Sequence, residues 1–139
     1  MQMRLLFAAP DASTQQLLRN VLGAALCLTP LDVIATEVET KAALLARLDQ
    51  DQDDIVLLDW GIAAEETPAL VAQILDINPR LRVVTLLPEH MRQYRQQVWE
   101  AGACNGIPKE YMDQEWLSTV LCIMYRAMER EAKLIHSQT

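Results

Sequence analysis

Asp59 closes the run Asp54-Ile55-Val56-Leu57-Leu58-Asp59, so a carboxylate stands at the mouth of a segment apolar enough to be a fully buried strand. About fifty positions on, Lys109 follows a second short apolar stretch, Ala103 to Pro108. A carboxylate and an ammonium brought together at two strand ends form an ion pair. A strand-end carboxylate is also a nucleophile that can take up a phosphoryl group as an acyl phosphate, and a nearby lysine would pair with the transferred oxygens.

For these two residues to meet, the chain must fold as alternating strands and helices. Short apolar runs alternate with amphipathic stretches throughout, the pattern of βα units around a parallel sheet. Strands are expected at Arg4 to Ala9, Asp32 to Ala35, Asp54 to Leu58, Leu81 to Leu87 and Ala103 to Pro108. Helices are expected at Ser13 to Ala25, Thr36 to Leu48 (with Thr40 a plausible cap), from Thr67-Pro68 to Asn78, His90 to Ala101, and Asp113 to at least Lys133. Five strands and five helices in strict alternation predict a doubly wound α/β domain with right-handed crossovers. Ligands bind such folds outside the carboxyl ends of the strands, where Asp59 falls. Expected inward positions include Leu17, Leu18, Val21, Leu22 and Ala25 in the first helix, Ala42, Leu44, Leu45 and Leu48 in the second, and Leu70, Val71, Ile74, Leu75 and Ile77 in the third. In the fifth they run from Trp116 and Leu117 to Met128.

The 139 residues suffice for a single domain, and the 51% of hydrophobic residues, with only 5% aromatic, give it an aliphatic core. No apolar run approaches the roughly 20 residues that span a bilayer, and no signal peptide is read at the amino terminus. A net charge of −7 argues against nucleic acid and anionic membranes as partners and leaves a protein or a cation. Cys27, Cys104 and Cys122 lack metal or CxxC spacing, which predicts reduced, buried cytosolic thiols. His90 and His136 share no ligand spacing with them, no phosphate-binding glycine motif is present, and Glu65-Glu66 reads as a solvated helix start.

Two segments carry a resemblance: Asp54-Ile55-Val56-Leu57-Leu58-Asp59-Trp60 with Gly61-Ile62, and Ala101-Gly102-Ala103-Cys104-Asn105-Gly106-Ile107-Pro108-Lys109. Over about residues 4–130 the chain resembles the response regulator receiver domain of two-component systems, the CheY-like, flavodoxin-like fold. The resemblance implies that Asp59 is the phosphoacceptor, that Lys109 is the lysine paired with it, and that the Gly61 carbonyl helps hold Mg²⁺.

Three departures set this chain apart from that family pattern. The acidic pair at the end of the first strand is replaced by Ala9 and Pro10, leaving Asp11, one step late, as the nearest carboxylate for the metal. The hydroxyl residue ending the fourth strand is replaced by Leu87, with Thr85 deeper and structural. Gly106 stands in place of the switch aromatic, and Glu110 follows Lys109 where the family has proline, so that peptide bond is expected to be trans.

The expectation is therefore an atypical, pseudo-receiver domain acting in the cytoplasm through contacts with a sensor kinase or output protein. Two alternatives stay open: a conventional Mg²⁺-dependent receiver phosphorylated at Asp59 by a histidine kinase, and a small-ligand or thiol-redox sensor using Cys104. The resemblance places dimer and partner contacts on the fourth helix, fifth strand and fifth helix. Arg92, Arg95, Glu115, Arg126, Glu129 and Arg130 lie there, and the fifth helix continues through Leu134 and Ile135, longer than the fold needs.

Overall fold

The computed structural model describes residues 2–137, the side chains of 105–107, 136 and 137 excepted. The strands are β1 (Met3–Ala8), β2 (Val33–Val38), β3 (Ile55–Asp59), β4 (Arg82–Leu87) and β5 (Asn105–Pro108). The α-helices are α1 (Ala12–Leu28), α2 (Lys41–Leu48), α3 (Thr67–Ile77), α4 (Arg95–Glu100) and α5 (Gln114–Ser137). All strand pairs are parallel, in the order β2-β1-β3-β4-β5. Four strands of five or six residues form the body of this sheet. The expected fifth strand is reduced to four residues on the β4 edge.

Period-2 alternation divides the core into two layers. Leu5 and Phe7 of β1, Ile55 and Leu57 of β3, and Val84 and Leu86 of β4 face α1 and α5, meeting Leu18, Leu22, Leu117 and Leu121. Leu6, Ala8, Val56, Leu58 and Val83 face the other way, onto Leu44, Leu48, Leu70, Val71, Ile74 and Val98. All five residues of β3 are buried, as its unbroken aliphatic run requires. Its register against β1 is pinned by a bidentate fork, in which Arg4 Nε donates to Asp54 Oδ2 (3.2 Å) and Nη2 to Oδ1 (2.9 Å).

Several sequence expectations are corrected. β2 runs through Glu37 and Val38, so residues 36–40 are not helical and α2 begins only after Thr40, whose hydroxyl accepts from Ala43 N. Pairing of six residues with β1 outweighs the polarity of Thr36 and Glu37, which an exposed edge strand tolerates. Helix one starts at Ala12 with Asp11 as its N-cap and extends to Leu28. The fourth helix is broken: residues Glu89–Tyr94 form a 3-10 segment, with Met91 off helical geometry, before α4 proper. This irregular segment has no side-chain cap, and it brings Tyr94 against Trp60 with ring centroids 4.9 Å apart.

Leu17 and Ile77 are exposed at 40% and 38%, and Ala42 is also exposed. Cys27 and Cys104 are exposed and Cys122 is half-buried, contrary to the expectation of three buried thiols. Cys27 falls two residues beyond core-facing Ala25 and therefore on the opposite side of the helix. Cys104 lies in the turn before β5, where only its backbone is committed, donating to Val83 O at 2.8 Å.

Gly102 ends the α4 turn at φ +114°, and a Cβ there would meet Leu75 Cδ1 at 2.4 Å. Gly102→Ala should destabilise the fold by about 1–3 kcal/mol. Urea denaturation checks this, and an unchanged midpoint would show that the turn relaxes freely.

Candidate functional site

The carboxyl ends of β1 and β3 and the segment after β5 converge at one end of the sheet. Asp59, the last residue of β3, is only 4% exposed and continues the Ile55 and Leu57 row toward the α1–α5 layer. Its Oδ2 accepts the Gly61 N–H at 3.0 Å, capping a short 3-10 turn over Trp60–Ile62. Its Oδ1 is buried without a hydrogen bond among the described residues but lies 3.2 Å from Lys109 Nζ. This is an ionic contact whose geometry falls short of an aligned hydrogen bond. The structure thus joins Asp59 and Lys109, the two residues singled out across about fifty positions. Lys109 heads a 3-10 turn over Lys109–Tyr111 directly after β5, and the Lys109–Glu110 peptide is trans.

Lys109 has a second partner that the sequence reading missed. Its Nζ donates to Thr14 Oγ1 at 2.7 Å, and Thr14 Oγ1 donates to Asp11 Oδ2 at 2.7 Å. Asp11 Oδ2 also accepts from Thr14 N (2.9 Å) and Ser13 Oγ (2.6 Å). Asp11 is thus the N-cap of α1. The Ser13 and Thr14 hydroxyls and the Thr14 N–H, with a smaller contribution from Lys109, hold its carboxyl down at about 2, against an ordinary 3.8. One signal for Thr14 was present: it precedes core-facing Leu18 by one helical turn, so a hydroxyl stands at a buried position.

Gln15, buried beside Thr14, was also missed. Its Nε2 donates to Ala9 O (3.0 Å) and Val38 O (3.1 Å), tying together the ends of β1 and β2.

The donor set does not fit Mg²⁺, which asks for near-octahedral oxygens with one or two carboxylates. Asp59 supplies one carboxylate and already faces an ammonium. Ala9 is packed in the core, with its carbonyl held by Gln15, and Asp11 is committed to the helix cap. The Pro10 ring closes on Gly61, where an added Cβ would meet Pro10 Cγ at 2.7 Å and Asp59 Oδ2 at 2.9 Å. Among the described residues, no group of three or more His, Cys, Asp or Glu side chains could hold a metal ion.

Around this centre, Leu87 ends β4 with 2% exposure, packed in the α2–α4 layer, and Thr85 is fully buried. Gly106 pairs with Thr85 in the β4–β5 register. The loops after β4 and β5 are tied at the surface: Tyr111 Oη donates to Glu89 Oε1 (2.7 Å), and Glu89 N donates to Glu110 Oε2 (3.0 Å). Glu89 raises the Tyr111 phenol, chiefly through that hydrogen bond. Glu65 and Glu66 are exposed before α3. Arg92, Arg95, Glu115, Arg126, Glu129 and Arg130 are exposed on the α4 and α5 side, together with Trp99 (64%) and Ile123 (61%). Among the described residues no helix is long and apolar enough to cross a membrane.

Removing the lysine leaves the Asp59 charge buried and unpaired, so Lys109→Met should cost about 3 kcal/mol at neutral pH, most of it recovered when Asp59→Asn is added. Equilibrium unfolding of the two single variants and the double variant checks this; costs that simply add would show that the residues do not interact. A carboxyl-detected NMR titration should place Asp11 at about 2. Because the folded state lowers this group from 3.8, its stabilisation is complete above about pH 4 and is lost as pH falls through about 2. Asp11→Ala should cost about 1 kcal/mol at neutral pH, read by the same unfolding measurement.

No protein-family model matches the chain, and no curated protein does. Solved structures do match. A protein of Burkholderia pseudomallei described as pilus assembly-related is 22% identical over 88% of each chain, with a TM-score of 0.70. A two-component response regulator of Clostridium difficile is 14% identical, covering 91% of this chain and 98% of that one, with a TM-score of 0.75. The receiver domain of a sensor histidine kinase of Pseudomonas aeruginosa has a magnesium ion coordinated in its active-site cleft. It is 14% identical over 87% of this chain and 95% of its own, with a TM-score of 0.69. This chain therefore has the α/β, CheY-like fold of response regulator receiver domains.

Proposed function

We propose that the protein is an atypical receiver domain of two-component signalling that works through protein contacts and does not depend on phosphate. The observation that carries this reading is what stands where the family pattern has a metal cage: Ala9 is packed in the core, the Pro10 ring lies against Gly61 and Asp11 is committed to the α1 cap. Phosphoryl transfer depends on positioning and on metal neutralisation of the oxygens, so a receiver fold with Ala9 and Pro10 in place of the acidic pair is poorly equipped for it. Leu87 in place of the hydroxyl and Gly106 in place of the aromatic point the same way.

On this reading the domain has no catalytic turnover. Its partners are a sensor kinase, an output protein or a second copy, meeting the exposed face of α4, β5 and α5. Trp99 and Ile123 there offer apolar anchors among arginines, and tryptophan and arginine are enriched where interfaces bind tightly. The pilus assembly-related neighbour is in keeping with a protein partner for such a module.

One observation favours a second reading, a conventional receiver phosphorylated at Asp59. Oδ1 of Asp59 is buried without a hydrogen bond among the described residues, an oxygen that could ligate a cation or attack a phosphoryl group. Trp60 adjoins Asp59 and reports on the site. Titration with Mg²⁺ and beryllofluoride at millimolar concentration should leave its fluorescence without a saturable change. A saturable change that Asp59→Asn abolishes would establish the conventional reading instead.

A further inference from the structure

We infer that Thr14 is a positioning residue that holds Lys109 against Asp59. The inference deepens the reading of an atypical receiver and rests on it.

The direction of every bond in the array is fixed by chemistry. An ammonium has three donors and no acceptor, so the 2.7 Å contact between Lys109 Nζ and Thr14 Oγ1 uses the hydroxyl as acceptor. The hydroxyl's own proton then has one place to go, the ionised Asp11 Oδ2 at 2.7 Å. Asp11 polarises Thr14, Thr14 orients Lys109, and Lys109 faces the buried Asp59 Oδ1.

Thr14 is 3% exposed and sits in the first turn of a 17-residue helix, so its hydroxyl has little freedom to leave. Capping alone does not account for it. The Asp11 carboxylate caps α1 through the Thr14 N–H, and the side-chain hydroxyl is additional to that bond. The array also supplies what the weak Asp59–Lys109 geometry lacks. A lysine stem has four rotatable carbons and about 2 kcal/mol of rotamer entropy, so an off-line ionic contact alone would not keep it in place. A second, short and charge-assisted bond does.

The test uses two substitutions with opposite expectations. Thr14→Val removes the hydroxyl, preserves the β-branched shape and leaves the main-chain bond to Asp11. Thr14→Ser keeps the hydroxyl. In the wild-type protein and in Thr14→Ser, the Lys109 ammonium should give a slowly exchanging signal in ¹⁵N-resolved NMR, assigned by its loss in Lys109→Met. In Thr14→Val that signal should broaden into solvent exchange while the far-ultraviolet circular dichroism stays unchanged. A double-mutant cycle of Thr14→Val with Lys109→Met should show a coupling of about tenfold or more in the unfolding constant.

If the ammonium signal survives in Thr14→Val, or the two substitutions act independently, Thr14 is a helix-cap residue only and the inference is overturned. A saturable Trp60 response to beryllofluoride, with the ammonium signal still dependent on Thr14, would overturn the atypical-receiver reading and leave the positioning role intact.

Discussion

A carboxylate that is 4% exposed at the end of the central strand must be neutralised, and much of this end of the molecule is arranged around that need. The positive charge comes from Lys109, carried there because β5 pairs with β4 and ends beside it. The lysine is steadied by the first turn of α1, so the array draws on the loop after β1, the end of β3 and the turn after β5. Parallel βα topology places such ends together by construction, which is why chemistry collects at this edge of doubly wound sheets. Here the positive group facing that carboxylate is a side chain of the protein itself.

The surrounding replacements are apolar. Pro10 lies over Gly61, leaving no room for a larger residue, and Ala9 turns inward into the core. Leu87 extends the apolar layer to the very end of β4. At each of these positions an apolar side chain packs at the strand ends. The tie between Glu89, Glu110 and Tyr111 restrains the loops beyond β4 and β5.

Much of this was legible in the sequence because buried parallel strands leave unambiguous aliphatic runs. Asp54 to Leu58 marked β3, and the turn following it put Asp59 at the mouth. The Asp59–Lys109 pair was legible only through the pattern of the whole chain, since nothing local to either residue specifies its partner. Thr36 to Thr40 misled because edge-strand polarity imitates a helix start, and His90 to Ala101 misled because a 3-10 segment and an α-helix share polar composition. Thr14 escaped notice because hydroxyls near a helix start are usually spent on capping, and only three-dimensional proximity to Lys109 separates the two uses.

The layer made by α1 and α5 unites the first and last helices of the described chain, with Leu18 and Leu22 meeting Leu117 and Leu121 across one face of the sheet. During synthesis, residues of β1 and α1 emerge long before their covering partner exists. The apolar face of β1, β3 and β4 on that side therefore has only α1 to cover it until α5 leaves the ribosome. The opposite layer, built from α2, α3 and α4, can close earlier. Contacts of such long sequence separation are slow to form and expose the unfinished sheet to aggregation, so this fold depends on α5 to seal one half of its core.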